Sequence, residues 1–366
     1  MVTAIVDRPV PPSSPDDALL LGRRRVGSAE RRVGAVCAVW MTGGLFLDGW
    51  AHSVEKPETF LTPWHGVLYS GFAAIAVWMW RLIVRSAQPG RPLSSTIPVG
   101  YGLGAVGVVC FGVGGVADFA WHSLLGIERS INALFSPPHL LLFGGGMMLL
   151  TTALRHAWAD AALSGDVVLS WGDLGAPILS MAIATSIVGF FLMELSPFRF
   201  PLMGFRRLAY WKSLGEGDTY SVLGFGGLAV TTMLLVLPVL LLLRRWRLPF
   251  GSITLMWTLP AFLLSGSLGF RTLGLVPAAL VGGVAADIAL ARSWFGMRTS
   301  GSARFACAAG TGAMWLAYVG LTEWRFGIGW SAELWAGSIM LCAGGAFLLA
   351  CLAFPPALPF ETSAPR

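Results

Sequence analysis

Residues 46–65, FLDGWAHSVEKPETFLTPWH, decide how this chain is read. Asp48 and His52 are four residues apart, so on a helix they share one face, with Cβ atoms roughly 5–6 Å apart. Thr62-Pro63 then has the form of a helix start, with Thr62 as N-cap and Pro63 at the first helical position. His65 falls on the first turn of that next helix. Two helix ends joined by a short loop therefore bring together one carboxylate and two imidazoles, the donor types of a metal site.

The chain repeats the pattern. In residues 115–139, GVADFAWHSLLGIERSINALFSPPH, Asp118 and His122 repeat the acid-x3-His spacing. Ser136-Pro137-Pro138-His139 repeats the capped, proline-started helix carrying a histidine. Asp48 to Asp118 and His52 to His122 share an offset of 70 residues, while the second loop is four residues longer. Glu58 and Glu128 share the same offset and are candidate accessory acids. Four of the five histidines belong to this duplication, and His156 stands outside it. The non-metal reading is a hydrogen-bonded acid–histidine pair or a proton relay, and a bis-histidine haem gives no reason for an acid one turn before the ligand. Duplication in register favours Asp48, His52, His65, Asp118, His122 and His139 as metal ligands.

Around these motifs the chain is apolar: 55% hydrophobic and 12% charged residues, with a mean hydropathy of +0.70. Apolar runs of about 20 residues, long enough to cross a bilayer, recur along most of the length. The expected fold is all-α, a polytopic membrane helical bundle of about ten transmembrane helices at 33–53, 63–85, 98–125, 136–157, 175–196, 220–243, 250–268, 273–292, 304–324 and 332–354. Helices 1–2 and 3–4 form a parallel internal repeat. Membrane β-barrel strands would alternate rather than run apolar.

The expected organisation is a disordered cytoplasmic tail (1–32, with no cleavable signal pattern), a duplicated metal-site module (33–157), a C-terminal transmembrane bundle (158–354) and a second cytoplasmic tail (355–366). The net charge of +6 comes from arginines in loops, with only Lys56 and Lys212 as lysines, and so reports topology rather than nucleic-acid binding. Arg81, Arg85 and Arg91, then Arg155, then Arg244, Arg245 and Arg247, then Arg292, Arg298 and Arg304 mark inner loops. That puts both termini in the cytoplasm, the protein in the plasma membrane, and the loops at 53–62 and 126–135 outside. The 197–219 loop is basic despite its outer position, and reads as an interfacial helix anchored by Phe198, Phe200, Phe205 and Trp211, or as a lid. The five cysteines fall in spans without a CxxC pair and read as small buried apolar residues. Intramembrane acids are costly and so are functional candidates: Glu194 and Glu323 at the depth of the clusters, and Asp287 deep in its span, five residues before Arg292.

Asp48-x3-His52-x12-His65 resembles the metal-site motif of the C subunit of the copper-containing membrane monooxygenases, the methane and ammonia monooxygenase family. The resemblance covers under twenty residues. It implies that Asp48, His52 and His65 bind copper. The second copy, Asp118-x3-His122-x16-His139, departs from that spacing, and the chain has more spans than such a subunit. Ligand chemistry alone also admits zinc or non-haem iron. Three function classes use such sites. The one adopted is an oxidative, monooxygenase-like metalloenzyme whose small apolar substrate arrives through the lipid bilayer, as a homo- or hetero-oligomer. The alternatives are a metal-ion transporter or metal-handling protein, and a metal-dependent membrane hydrolase with Glu58 or Glu128 as base.

The topology gives a direct prediction. Single cysteines placed at Ser53 and Ser130 should react with an impermeant thiol reagent in intact cells. Reaction only after permeabilisation would put both clusters on the cytoplasmic side.

Overall fold

The computed structural model describes residues 23–54, 56, 62–126, 131–160, 163, 169–292 and 300–355. The principal helices are α1 (Ser28–Ser53), α2 (Pro63–Ser86), α3 (Gly102–Leu125), α4 (Pro137–Ala159), α5 (Trp171–Phe191), α6 (Gly217–Arg245), α7 (Ser252–Gly266), α8 (Val276–Ala291), α9 (Ser300–Phe326) and α10 (Ala332–Ala353). Among the described residues, backbone pairing outside helices is confined to one isolated bridge between Gly204 and Ile328. Among the described residues nine helices are long and apolar enough to cross a membrane, α8 being counted with the 3-10 turn Leu273–Leu275 before it. The chain is an all-α, multi-pass membrane protein.

The helix ends shift by a few residues from the sequence expectation, and two differences have physical causes. α7 has only 15 residues, about 22 Å of helix against a hydrocarbon core of about 30 Å. It needs its neighbours to cover its ends, and it packs against α5 and α8. α4 is interrupted at Thr151, where the Thr151 hydroxyl donates to the Met147 carbonyl and itself accepts from Arg155.

The strongest packing lies within the hairpins α1–α2 and α3–α4 and between α8 and α9. In the two hairpins, glycines set the approach at equivalent positions. A Cβ on Gly44 would lie 2.5 Å from the Leu68 backbone, and one on its counterpart Gly114 would lie 3.1 Å from Leu142, the counterpart of Leu68. Gly71 likewise abuts the Met41 backbone, and its counterpart Gly145 abuts that of Phe111, the counterpart of Met41. The repeat therefore extends from the polar motifs into the packing that places them, as expected where small residues let membrane helices approach closely. α5 packs on both α1 and α4. It joins the hairpins to the larger bundle of α6–α10, whose core holds Trp257, Trp315 and Tyr318 fully buried.

The basic segment does contain a helix, Phe205–Ser213, with Leu208 buried and Phe205 and Tyr210 exposed. Two of the expected surface anchors sit differently. Phe198 is buried, edge-on to Tyr318, and Trp211 stacks on Tyr220 at 5.6 Å. Phe200 carries Arg207 over its ring at 4.3 Å. The five cysteines are free thiols, three of them buried.

Asp287 lies near the C-terminal end of α8, beside the start of α7, rather than deep in its span, and it shows what a buried carboxylate can do through hydrogen bonds. Gly251, at the N-cap of α7, has φ +90° and no side chain with which to cap the helix. Asp287 supplies the cap from α8. Its carboxylate accepts the backbone N–H groups of Ile253 (3.2 Å) and Thr254 (2.9 Å) and the Thr254 hydroxyl (2.6 Å). Asp287→Ala should therefore lower unfolding stability in detergent by about 1–3 kcal/mol, because it strands buried donors. Stability equal to the wild type would remove Asp287 from this role.

Candidate metal centre

Each cluster is assembled by the junction of two helices. In the first, Asp48 and His52 stand one turn apart near the C-terminal end of α1, and His65 lies in the first turn of α2. His65 Nε2 is 3.2 Å from Asp48 Oδ1, and His52 Nε2 is 3.7 Å from Asp48 Oδ2. In the second, His122 Nε2 and His139 Nε2 lie 3.3 and 3.5 Å from the same oxygen, Asp118 Oδ1. The imidazole pairs also match: centroids are 6.0 Å apart at 67° for His52 and His65, and 5.8 Å apart at 63° for His122 and His139.

The helix-start residues have a second task. Thr62 takes the N-cap position, yet its hydroxyl makes no cap to the backbone and instead lies 2.9 Å from His65 Nδ1. Ser136 does both: its oxygen accepts from the His139 backbone N–H and lies 2.7 Å from His139 Nδ1. The hydroxyl holds Nδ1 and turns Nε2 toward the carboxylate. This is the arrangement in which one ring nitrogen is fixed and the other is offered to a ligand.

The second cluster is built to hold a proton or a metal ion between ring and carboxylate. His122 Nδ1 lies 3.3 Å from the Gly126 carbonyl. A carbonyl only accepts, so Nδ1 carries a hydrogen. A neutral ring would then point the Nε2 lone pair at the Asp118 carboxylate, in a setting where the Asp118 side chain is only 4% exposed. A proton shared between ring and carboxylate, on either partner, or a metal ion in its place relieves that contact. Three of the four Asp–His distances suit a shared ion. Charge-assisted N–H···O contacts run about 2.7–2.9 Å, whereas donors bound about 2.0–2.1 Å from one ion are separated by about 3–3.5 Å. The four Asp–His distances span 3.2–3.7 Å. Within each cluster the three donor atoms all lie within 4.8 Å of one another.

The clusters are separate but open onto one space. A cavity of about 70 Å³ is lined by Asp48 and His65 of the first and Asp118 and His139 of the second, with Phe111, Phe143, Phe190 and Phe191 among its apolar walls. Met41 and Phe111, Leu68 and Leu142, and Tyr69 and Phe143 are repeat-equivalent pairs lining it together. The two hairpins therefore face each other about an approximate two-fold axis through the cavity.

Of the accessory acids, Glu194 and Glu323 are not brought into the clusters. Glu194 pairs with Arg199 at 3.1 Å. Glu323 accepts the Ile328 backbone N–H at 2.8 Å, steadying the turn after α9. Glu58 and Glu128 lie outside the described residues. His156 is buried, with Nδ1 2.9 Å from the Val99 carbonyl, tying α4 to the segment before α3. Sequence reasoning missed Arg199. Its side chain is 7% exposed, its guanidinium donates to the Ser53 hydroxyl at 3.3 Å, and burial lowers its pKa below the usual arginine value. It reaches the residue next to His52 from 146 positions away, and only the excess of basic residues in the 197–219 loop hinted at it. The chain matches no known family model, no curated protein and no solved structure, so the functional reading has to come from its own residues.

Proposed function

We propose that each Asp/His/His cluster binds one metal ion, copper ahead of zinc or non-haem iron, and that the protein is an oxidative, monooxygenase-like membrane metalloenzyme acting on an apolar substrate. The observation that carries the reading is the duplication of the donor set and of its supports: two carboxylates, four inward-turned Nε2 atoms and two hydroxyls holding Nδ1. Copper is preferred because nitrogen and oxygen sites bind it most tightly among the first-row divalent ions. The first cluster also has the ligand spacing of the monooxygenase C-subunit motif.

A copper or iron ion held there would supply one-electron and dioxygen chemistry that side chains lack. The protein's own part follows from its geometry. Asp48 and Asp118 provide the anion that offsets the ion's charge in a low-dielectric setting. Three protein donors leave coordination positions open toward the shared cavity. The aromatic walls keep that cavity dry and suit it to an apolar molecule. Transport is less well supported, because it needs polar groups in succession across the bilayer and Asp287 is committed to the α7 cap. In this reading residues 33–157 are the metal module, 158–354 its scaffold, and both termini are cytoplasmic.

Metal analysis of protein purified without chelators tests the proposal. One ion per cluster is expected, with His52→Ala or Asp48→Asn removing one equivalent and His122→Ala or Asp118→Asn the other. Thr62→Val and Ser136→Ala should leave the fold intact and weaken binding at their own cluster by about 10–100-fold, since the group that orients the ligand is lost. Wild-type protein free of copper, zinc and iron would overturn the metalloprotein reading.

A further inference from the structure

The approximate two-fold relates two clefts, one filled and one open. Between α4 and α1 the cleft is plugged by α5. Phe190 packs edge-on to Phe46 at 5.2 Å and crowds Gly49, and Phe191 meets Phe143 at 4.4 Å. The mate of this cleft lies between α2 and α3, and no described helix enters it. A groove of about 550 Å³ occupies it instead, running along α2 from Thr62 past His65 and Tyr69 to Phe72. Its other wall on α3 is formed partly by Gly112 and Gly115, which stand where the first hairpin has Thr42 and Leu45. The missing side chain at Gly112 opens this cleft, while Gly115 gives its space to the Tyr69 ring, 2.9 Å from where a Cβ would stand. At its rim Val116 and Phe119 are 72% and 50% exposed on a membrane helix, so the groove faces the bilayer. His65 and Tyr69 line both the groove and the cavity between the clusters.

We propose that this groove is a lateral entry from the membrane that receives the hydrocarbon chain of a lipid-sized molecule, with its polar end toward Thr62 and His65. The proposal rests on the metal reading above and narrows its substrate from any small apolar molecule to one bearing a long chain. Size and shape argue for a chain. The ten residue steps from Thr62 to Phe72 span about 15 Å of helix, and the volume falls within the roughly 300–1,000 Å³ of sites for sizeable ligands, far more than a gas molecule requires. The polar lining side chains, Thr62, His65 and Tyr69, lie toward one end and Phe72 at the other, as an amphiphile requires.

The test uses the full-length protein in lipid nanodiscs and a long-chain alkanol carrying a photoreactive diazirine, with labelled residues mapped by mass spectrometry. Label should concentrate on Tyr69, Phe72, Val116 and Phe119 and be competed away by the unmodified alkanol. Gly112→Leu should fill the groove, since a Cβ there meets only the Phe72 ring at 3.7 Å. It should reduce groove labelling by about tenfold, or 1.4 kcal/mol, without changing metal content. Phe72→Ala, which enlarges the groove, should preserve or increase labelling. Label no denser there than on exposed Leu348 and Leu352, or unaffected by Gly112→Leu, would overturn the proposal. So would inter-chain disulfide formation by Val116→Cys in place of labelling, which would assign the groove to a second copy. Specific labelling of a metal-free wild type would keep the groove and remove the metal reading.

Discussion

A carboxylate buried at membrane depth has to be matched by positive charge or by hydrogen-bond donors, because the solvation it gives up is worth many kcal/mol. The described bundle meets that demand in two ways. Asp287 is met by backbone N–H groups and a hydroxyl at a helix start. Asp48 and Asp118 are met by paired imidazoles, and an imidazole offers a proton or a metal-ready lone pair according to what fixes its other nitrogen. Hydroxyls beside the His65 and His139 Nδ1 atoms and the Gly126 carbonyl beside His122 Nδ1 fix those nitrogens. The rest of the hairpin geometry serves this arrangement. Gly44 and Gly71, with their counterparts Gly114 and Gly145, bring the helices close enough for an acid on one to meet a histidine on the next.

Duplication makes two such junctions, and the approximate two-fold brings them to one cavity. What surrounds them is not symmetric. α5 closes one flank with Phe190 and Phe191, and Arg199, from the segment after α5, reaches Ser53 beside the first cluster only. The second cluster's equivalent residue, Ser123, donates to its own helix at Phe119. The larger bundle therefore does more than hold the hairpins in the membrane: it makes one of two similar sites different from the other.

Much of this was legible in the sequence because it is local. The acid-x3-His spacing, the Thr-Pro and Ser-Pro-Pro helix starts and the long apolar runs each fix geometry within one or two helices. The juxtaposition of Asp48 with His65, and of Asp118 with His139, followed from those signals alone. What escaped is contact at long sequence separation. Asp287 had Arg292 as its nearest charged neighbour in sequence, yet it bonds to α7, more than thirty residues away. Phe198 has the apolar character of a membrane anchor, but only tertiary packing decides that it sits against Tyr318. The α2–α3 groove depends on an absent side chain at Gly112, and one sequence does not show which glycines admit a neighbour, as Gly115 admits Tyr69, and which leave space.

The central claim is that two nitrogen–oxygen sites of like construction each hold a metal ion. X-ray absorption at the edge of the bound metal tests this most directly, because it reports ligand type and distance independently of any activity. The expected spectrum has a first shell of nitrogen and oxygen at about 2.0–2.1 Å, with outer-shell scattering from two imidazoles per ion and no sulfur, in keeping with five cysteines that lie outside both clusters. A sulfur-containing shell, or scattering without imidazole, would contradict it.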